Sequence, residues 1–129
     1  MLLGLGIDVV DVARIQRILD GPPARAERFL ARCFTAAERA YCDQGRDRAA
    51  RHAARFAAKE AASKALGAPA GIAWTDVEVV RGEGAPAIEL RGVAAERARS
   101  MGVVRAILSL THDGGLAAAV VALEGGAAP

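Results

Sequence analysis

Residues 48–67 read Arg48-Ala49-Ala50-Arg51-His52-Ala53-Ala54-Arg55-Phe56-Ala57-Ala58-Lys59-Glu60-Ala61-Ala62-Ser63-Lys64-Ala65-Leu66-Gly67. No proline interrupts Arg48 to Leu66, alanine is the best helix former, and Gly67 supplies a C-terminal stop. This stretch is therefore predicted as the longest helix of the chain, and the sequence changes character on either side of it.

Upstream, Met1 to Val10 (MLLGLGIDVV) reads as a short buried strand with glycines at 4 and 6. Asp11 is placed to cap a helix over Val12 to Leu19, and Asp20-Gly21-Pro22-Pro23 breaks it. Helices follow over Ala24 to Cys33 and Thr35 to Cys42, the second opened by Thr35-Ala36-Ala37-Glu38, a capping-box pattern. Downstream of Gly67, Trp74 to Val80 and Ala87 to Leu90 read as strands around the turn Gly82-Glu83-Gly84-Ala85-Pro86. Val93 to Met101 is helical, and Arg105 to Leu110 with Leu116 to Leu123 forms a hairpin around Asp113-Gly114-Gly115. No repeat and no long linker divides the chain. The expected architecture is one α+β domain over residues 1–124, with an antiparallel-leaning sheet packed on the long helix and several short ones. Gly125 to Pro129 is expected to fray.

The chain has 129 residues, 53% of them hydrophobic, but 31 are alanine and only 4% are aromatic. Its core must come from Leu, Val and Ile packed against alanine-rich faces. Charged residues at 25% and a mean hydropathy of +0.21 exclude a disordered chain. The longest uninterrupted apolar run in the carboxyl half, Leu116 to Leu123, is too short for a membrane helix and ends at Glu124. Asp8 cuts the amino-terminal apolar run, against a secretory leader. Cys33 and Cys42 match no zinc spacing and read as free thiols, which fits a reducing cytoplasm. Residues 1–66 carry 12 Lys+Arg against 8 Asp+Glu, whereas residues 67–129 carry 5 against 7, so the basic half offers a surface for an acidic partner.

Four places carry candidate chemistry. Asp8 lies in the apolar run Leu5-Gly6-Ile7-Asp8-Val9-Val10, where a buried charge needs a cation, a metal or backbone amides beside it. An exposed strand-end aspartate is the plain alternative. On the long helix Phe56, Glu60, Ser63 and Lys64 share a face, with Arg55 and Lys59 flanking it. Glu60 and Lys64 are equally well spaced for an ordinary i,i+4 ion pair. His112 ends a strand at a glycine turn and is either solvated or within reach of a phosphate, while His52 reads as structural. Arg14, Arg17, Arg25, Arg28 and Arg32, with Phe29 beside Arg28 and Arg32, form either a solvated face or a docking surface for an acidic helix. The scarcity of aromatic stacking platforms, and the acids Asp20, Glu27 and Glu38 among these arginines, argue against nucleic acid.

Together these segments resemble the small 4′-phosphopantetheinyl transferases, the holo-acyl-carrier-protein synthases. Gly4-Leu5-Gly6-Ile7-Asp8-Val9-Val10-Asp11-Val12-Ala13-Arg14-Ile15 is similar to their opening signature, and Arg55 through Gly67 to their helix signature. Arg28-Phe29-Leu30, Phe34-Thr35-Ala36-Ala37-Glu38, Gly84-Ala85-Pro86 and Ser109-Leu110-Thr111-His112 also fit, with Ala54 in place of a common glycine and Leu116 in place of a common aromatic. The resemblance implies transfer of the phosphopantetheine arm of coenzyme A to a serine of apo acyl carrier protein, in fatty-acid or polyketide synthesis. It implies Asp8 and Glu60 as ligands of Mg²⁺, Lys64 with them in the catalytic group, and Arg55, Lys64 and His112 at the phosphates of coenzyme A. Arg14, Arg28, Phe29 and Arg32 match positions that meet the acidic helix of the carrier. Glu60, or a water held by the metal and Asp8, is the implied base. A homotrimer with active sites between subunits is implied as well. The competing readings are a non-catalytic nucleotide or coenzyme A binder and a nucleic-acid module.

Overall fold

The structure, a computed structural model, describes residues 1–81 and 84–126. Strand β1 (Leu2–Asp11) leads through the Asp11 cap, whose Oδ1 accepts the Ala13 amide at 3.0 Å, into helix α1 (Val12–Asp20). Helices α2 (Pro23–Cys33), α3 (Ala36–Cys42) and α4 (Arg48–Ala65) follow. The predicted capping box forms: Glu38 N–H donates to Thr35 Oγ1 at 3.2 Å and Thr35 N–H to Glu38 Oε1 at 2.9 Å. Gly67 leaves α4 with φ +82°, a left-handed turn that glycine adopts without strain.

After α4 come β2 (Val77–Val80), β3 (Ala87–Leu90), α5 (Gly92–Met101), β4 (Val103–Asp113) and β5 (Leu116–Gly125). The strand expected from Trp74 begins only at Val77. Trp74–Asp76 is a 3₁₀ turn, because Asp76 turns its carboxylate back onto the Ala73 amide at 3.0 Å. Gly82 and Glu83 of the expected turn lie outside the described residues, as do residues 127–129 of the expected tail; Gly125 is the last residue of β5.

Two antiparallel sheets form where one was expected: β1-β5-β4, with the chain's last strand between its first and its fourth, and the small β2-β3 ladder. Gly114 and Gly115 turn the β4–β5 hairpin with φ of +59° and +81°, the paired positive values of a two-residue loop. Helix α4 lies against the three-stranded sheet, where Ala57, Ala58, Ala61, Ala62 and Ala65 are buried against Val10, Ala117, Ala119, Val121 and Leu123. The alanines let a helix and a sheet approach closely without large side chains between them. The opposite face of that sheet is bare: Leu5, Ile7 and Val9 are 60%, 60% and 56% exposed. No helix of the described residues is long and apolar enough to cross a membrane, and both cysteines are buried and unpaired.

Candidate active site

The corner between β1 and α4 is set by two glycines. A Cβ on Gly6 would stand 1.9 Å from the Ala61 carbonyl oxygen, and one on Gly4 2.2 Å from that of Ala65. Only glycine lets strand backbone lie on helix backbone there. The contact delivers Asp8, two residues along the same face of β1, to the last turns of α4. Lys64 Nζ donates to Asp8 Oδ1 and to the Ile7 carbonyl, both at 3.0 Å. The lysine thus pairs with Asp8 rather than forming the i,i+4 bridge to Glu60. Glu60 is half-buried beside them, and burial, then the charge of Asp8, pushes its carboxyl above the ordinary range, with Lys64 and Arg14 pulling it back.

Two neighbouring carboxylates suit magnesium, a hard cation usually held by one or two acidic side chains, with substrate phosphates and waters completing the shell. Among the described residues no cluster of three or more His, Cys, Asp or Glu side chains is placed to cage an ion alone. The donor set fits a cation that arrives with its substrate. Burial and, after it, the charge of Asp8 raise Glu60, and a bound cation would offset both.

Beside Glu60 opens a cavity of about 180 Å³, floored by Lys59, Glu60 and Ser63 of α4 and walled by Ile72, Trp74 and Val77. Lys59, expected to flank the functional face, is instead wholly buried, its ammonium 2.7 Å from Glu38 Oε1. Burial lowers its pKa while Glu38 opposes the shift. The alanines around Lys59 gave only a faint sign of this burial.

Arg55 and His112 meet in a separate cavity of about 430 Å³, together with Tyr41, Arg51 and Arg81. Arg55 is 4% exposed, its Nε has no partner, and none of the ion pairs among the described residues includes it. Its guanidinium lies 4.2 Å from the centre of the Tyr41 ring, with those of Arg51 and Arg81 at 5.2 and 5.5 Å. A buried cation with no carboxylate paired to it, beside two more guanidiniums and with Asp47 the one acid on the lining, suits an anionic ligand. Tyr41, Arg51 and Arg81 were not singled out from sequence, because two scattered arginines and a lone tyrosine show no pattern until the fold gathers them.

A third hollow, of about 460 Å³, takes in Arg28, Phe29 and Arg32 of α2 with Phe56 and Trp74. Phe56 stacks on Trp74 at 4.7 Å between ring centres, and the Arg14 guanidinium lies 5.9 Å from the centre of the Phe56 ring. The structure thus gathers Asp8, Glu60 and Lys64 in one place and Arg14, Arg28, Phe29 and Arg32 around the adjoining hollow. Arg55 and His112 share the second cavity, away from Glu60 within this chain.

Residues 4–121 match the family model of the 4′-phosphopantetheinyl transferase superfamily. The chain is 73% identical over 125 residues to the holo-[acyl-carrier-protein] synthase of Anaeromyxobacter sp. (strain Fw109-5), covering 97% of each sequence. The crystal structure of the Helicobacter pylori holo-[acyl-carrier-protein] synthase in complex with coenzyme A superposes with a TM-score of 0.78 at 30% identity, over 93% of this chain and 99% of that one. The holo-ACP synthase of Plasmodium yoelii superposes with a TM-score of 0.82 at 27% identity, over 98% of both chains. With residues 4–121 matched by the family model and 73% identity to a holo-[acyl-carrier-protein] synthase over 125 residues, this chain belongs to the 4′-phosphopantetheinyl transferase superfamily, as an enzyme of the holo-acyl-carrier-protein synthase type.

Proposed function

We propose that this protein transfers the 4′-phosphopantetheine arm of coenzyme A to a serine of apo acyl carrier protein, with Mg²⁺ as cofactor, releasing adenosine 3′,5′-bisphosphate. The observation that carries the reading is the juxtaposition of Asp8, Glu60 and Lys64, 3.0 Å separating Lys64 Nζ from Asp8 Oδ1, in a member of this family. The serine oxygen bonds to the phosphorus that bears the pantetheine arm, and the bond from that phosphorus to the bridging oxygen breaks. Glu60 accepts the serine proton. Lys64 holds Asp8 in place before substrate arrives and offers its ammonium to the diphosphate afterwards. Asp8 and Glu60 would hold the magnesium ion, which when bound supplies neutralisation of the charge that builds on the diphosphate oxygens. Arg55 and His112, with Arg51 and Arg81, bind the phosphates of the nucleotide end. Fatty-acid synthesis is the expected setting, with a polyketide carrier as alternative acceptor, and the cytoplasm the expected compartment. Mass spectrometry of an apo carrier incubated with the protein, coenzyme A and Mg²⁺ tests the reaction. One added phosphopantetheine per carrier is expected; an unchanged carrier mass overturns the reading.

The carrier docks on Arg14, Arg28 and Arg32, with Phe29 between them as the apolar contact. Arg28→Glu is expected to raise the carrier KM roughly 10-fold, mostly through association rate, and to leave the coenzyme A KM within about twofold. Steady-state kinetics at two salt concentrations check this, and equal effects on both substrates would contradict it.

The bare face of the three-stranded sheet supports a homotrimer. Leu5, Ile7 and Val9 lie there level with Ala122, Val120 and Ala118 of β5, an apolar surface too continuous to stay in water. The acidic corner and the Arg55–His112 cavity lie apart within one chain, and sites shared between neighbouring copies would join them. Ile7→Asp is expected to give monomers in sedimentation and to cut transfer at least ~10²-fold, because each chain then holds half a site. A monomer with wild-type turnover would show that the site is complete in one chain.

A further inference from the structure

Lys59 has three ammonium hydrogens and three acceptors. It donates to Glu38 Oε1 at 2.7 Å, to the Trp74 carbonyl at 3.1 Å and to the Val77 carbonyl, and its own side chain and that of Glu38 are wholly buried. The carboxylate it meets also accepts the Val79 amide at 2.9 Å and the Thr35 amide, which ties α3 to β2. The ammonium therefore fastens both ends of the segment from Trp74 to Val77 to the middle of α4. Trp74 stands between two hollows: it walls the cavity beside Glu60 and lines the basic groove with Arg28, Phe29 and Arg32.

We propose that Lys59 is a positioning residue which, through Trp74, fixes the wall shared by the carrier groove and the Glu60 cavity, and so sets how the carrier's serine is presented to Glu60. This rests on the functional reading above. Lys59 touches no substrate and acts only through the two backbone carbonyls.

Lys59→Met alone strands the buried Glu38 charge and destabilises the fold. The informative variant is Lys59→Met with Glu38→Gln, in which both buried charges go together and folding is largely restored. The carbonyls of Trp74 and Val77 still lack their donor. The expected result is a carrier KM raised about 5- to 20-fold and kcat lowered several-fold, with the coenzyme A KM within twofold of wild type. Trp74→Ala is expected to reproduce the carrier effect, and adding it to the double variant should worsen the carrier KM by less than twofold, since both act on one wall. Trp74 is the sole tryptophan, so acrylamide quenching of its emission reads the wall directly and should increase in the double variant. A folded double variant with wild-type carrier KM, or with unchanged Trp74 quenching, overturns the proposal. Should the wild-type protein modify no carrier at all, the functional reading fails separately, and the quenching measurement still decides whether Lys59 holds Trp74.

Discussion

Asp8→Ala and Glu60→Ala are each expected to yield a folded protein whose transfer rate is lower by at least ~10²–10³-fold, the cost of removing a preorganised charge from the reacting centre. A large effect is expected because the two carboxylates are proposed to sit where the diphosphate must be neutralised, and the described residues hold no cluster of three such ligands that could replace them. Stability moves the other way. A carboxyl whose pKa is raised in the fold contributes stability below its ordinary titration range and loses it as pH climbs through the raised one. At pH 7 the charge of Glu60, half-buried and facing that of Asp8, therefore costs stability. Glu60→Gln in metal-free buffer is expected to melt a few degrees above wild type while transferring next to nothing. Calorimetry at pH 7 checks this, and a Glu60→Gln protein less stable than wild type would contradict the described environment of that carboxyl. Both halves of the result are needed, since a site acid that weakens the fold and drives the reaction is the mark of a group kept for chemistry.

Gly6→Ala has the second large effect, this time on the fold. The added methyl would need space 1.9 Å from a helix carbonyl oxygen and 2.9 Å from the Ala65 nitrogen. No flexible side chain can yield there; β1 must leave α4. Overpacking against backbone belongs to the costly end of such changes, about 3 kcal/mol or more, which in a domain this size lowers Tm by roughly 10 °C. Because Asp8 rides on the same strand face, transfer should fall further than the folded fraction does. Thermal unfolding alongside single-turnover transfer tests this, and a Gly6→Ala protein of wild-type Tm would mean that β1 and α4 do not touch there. Gly4→Ala should act in the same direction.

Much of this fold was legible before any coordinates, and the particulars show why. The Asp11 cap, the Thr35–Glu38 capping box, the long α4 and the Gly114-Gly115 hairpin are written in short-range rules, each involving residues at most four apart. Asp8 was legible too, as a charge in apolar company that required compensation, and Lys64 lies 3.0 Å from it. What the sequence did not yield depends on long-range pairing. The glycines at 4 and 6 were visible, but their reason, the backbone of α4 too close for any Cβ, appears only when β1 and α4 meet. The insertion of β5 between β1 and β4 leaves no local trace. Trp74–Asp76 looked extended because Trp and Thr favour strands, and the Asp76 carboxylate overrode them. Lys59 looked like one more lysine beside the functional face, since nothing nearby in sequence foretells that Glu38, 21 residues away, would meet it in the core. The Arg55 pocket was half-read: Arg55 and His112 were named, whereas Tyr41, Arg51 and Arg81 came only with the fold.

One acid from β1 and one from α4 are proposed to hold a divalent cation jointly on the diphosphate of coenzyme A. Electron paramagnetic resonance of Mn²⁺, titrated into the protein with coenzyme A present, measures that directly in the wild-type, Asp8→Asn and Glu60→Gln proteins. One tightly bound ion per site is expected in the wild type, with binding weakened at least tenfold in each variant and in the wild type without coenzyme A. Undiminished Mn²⁺ binding in either folded variant would contradict the account.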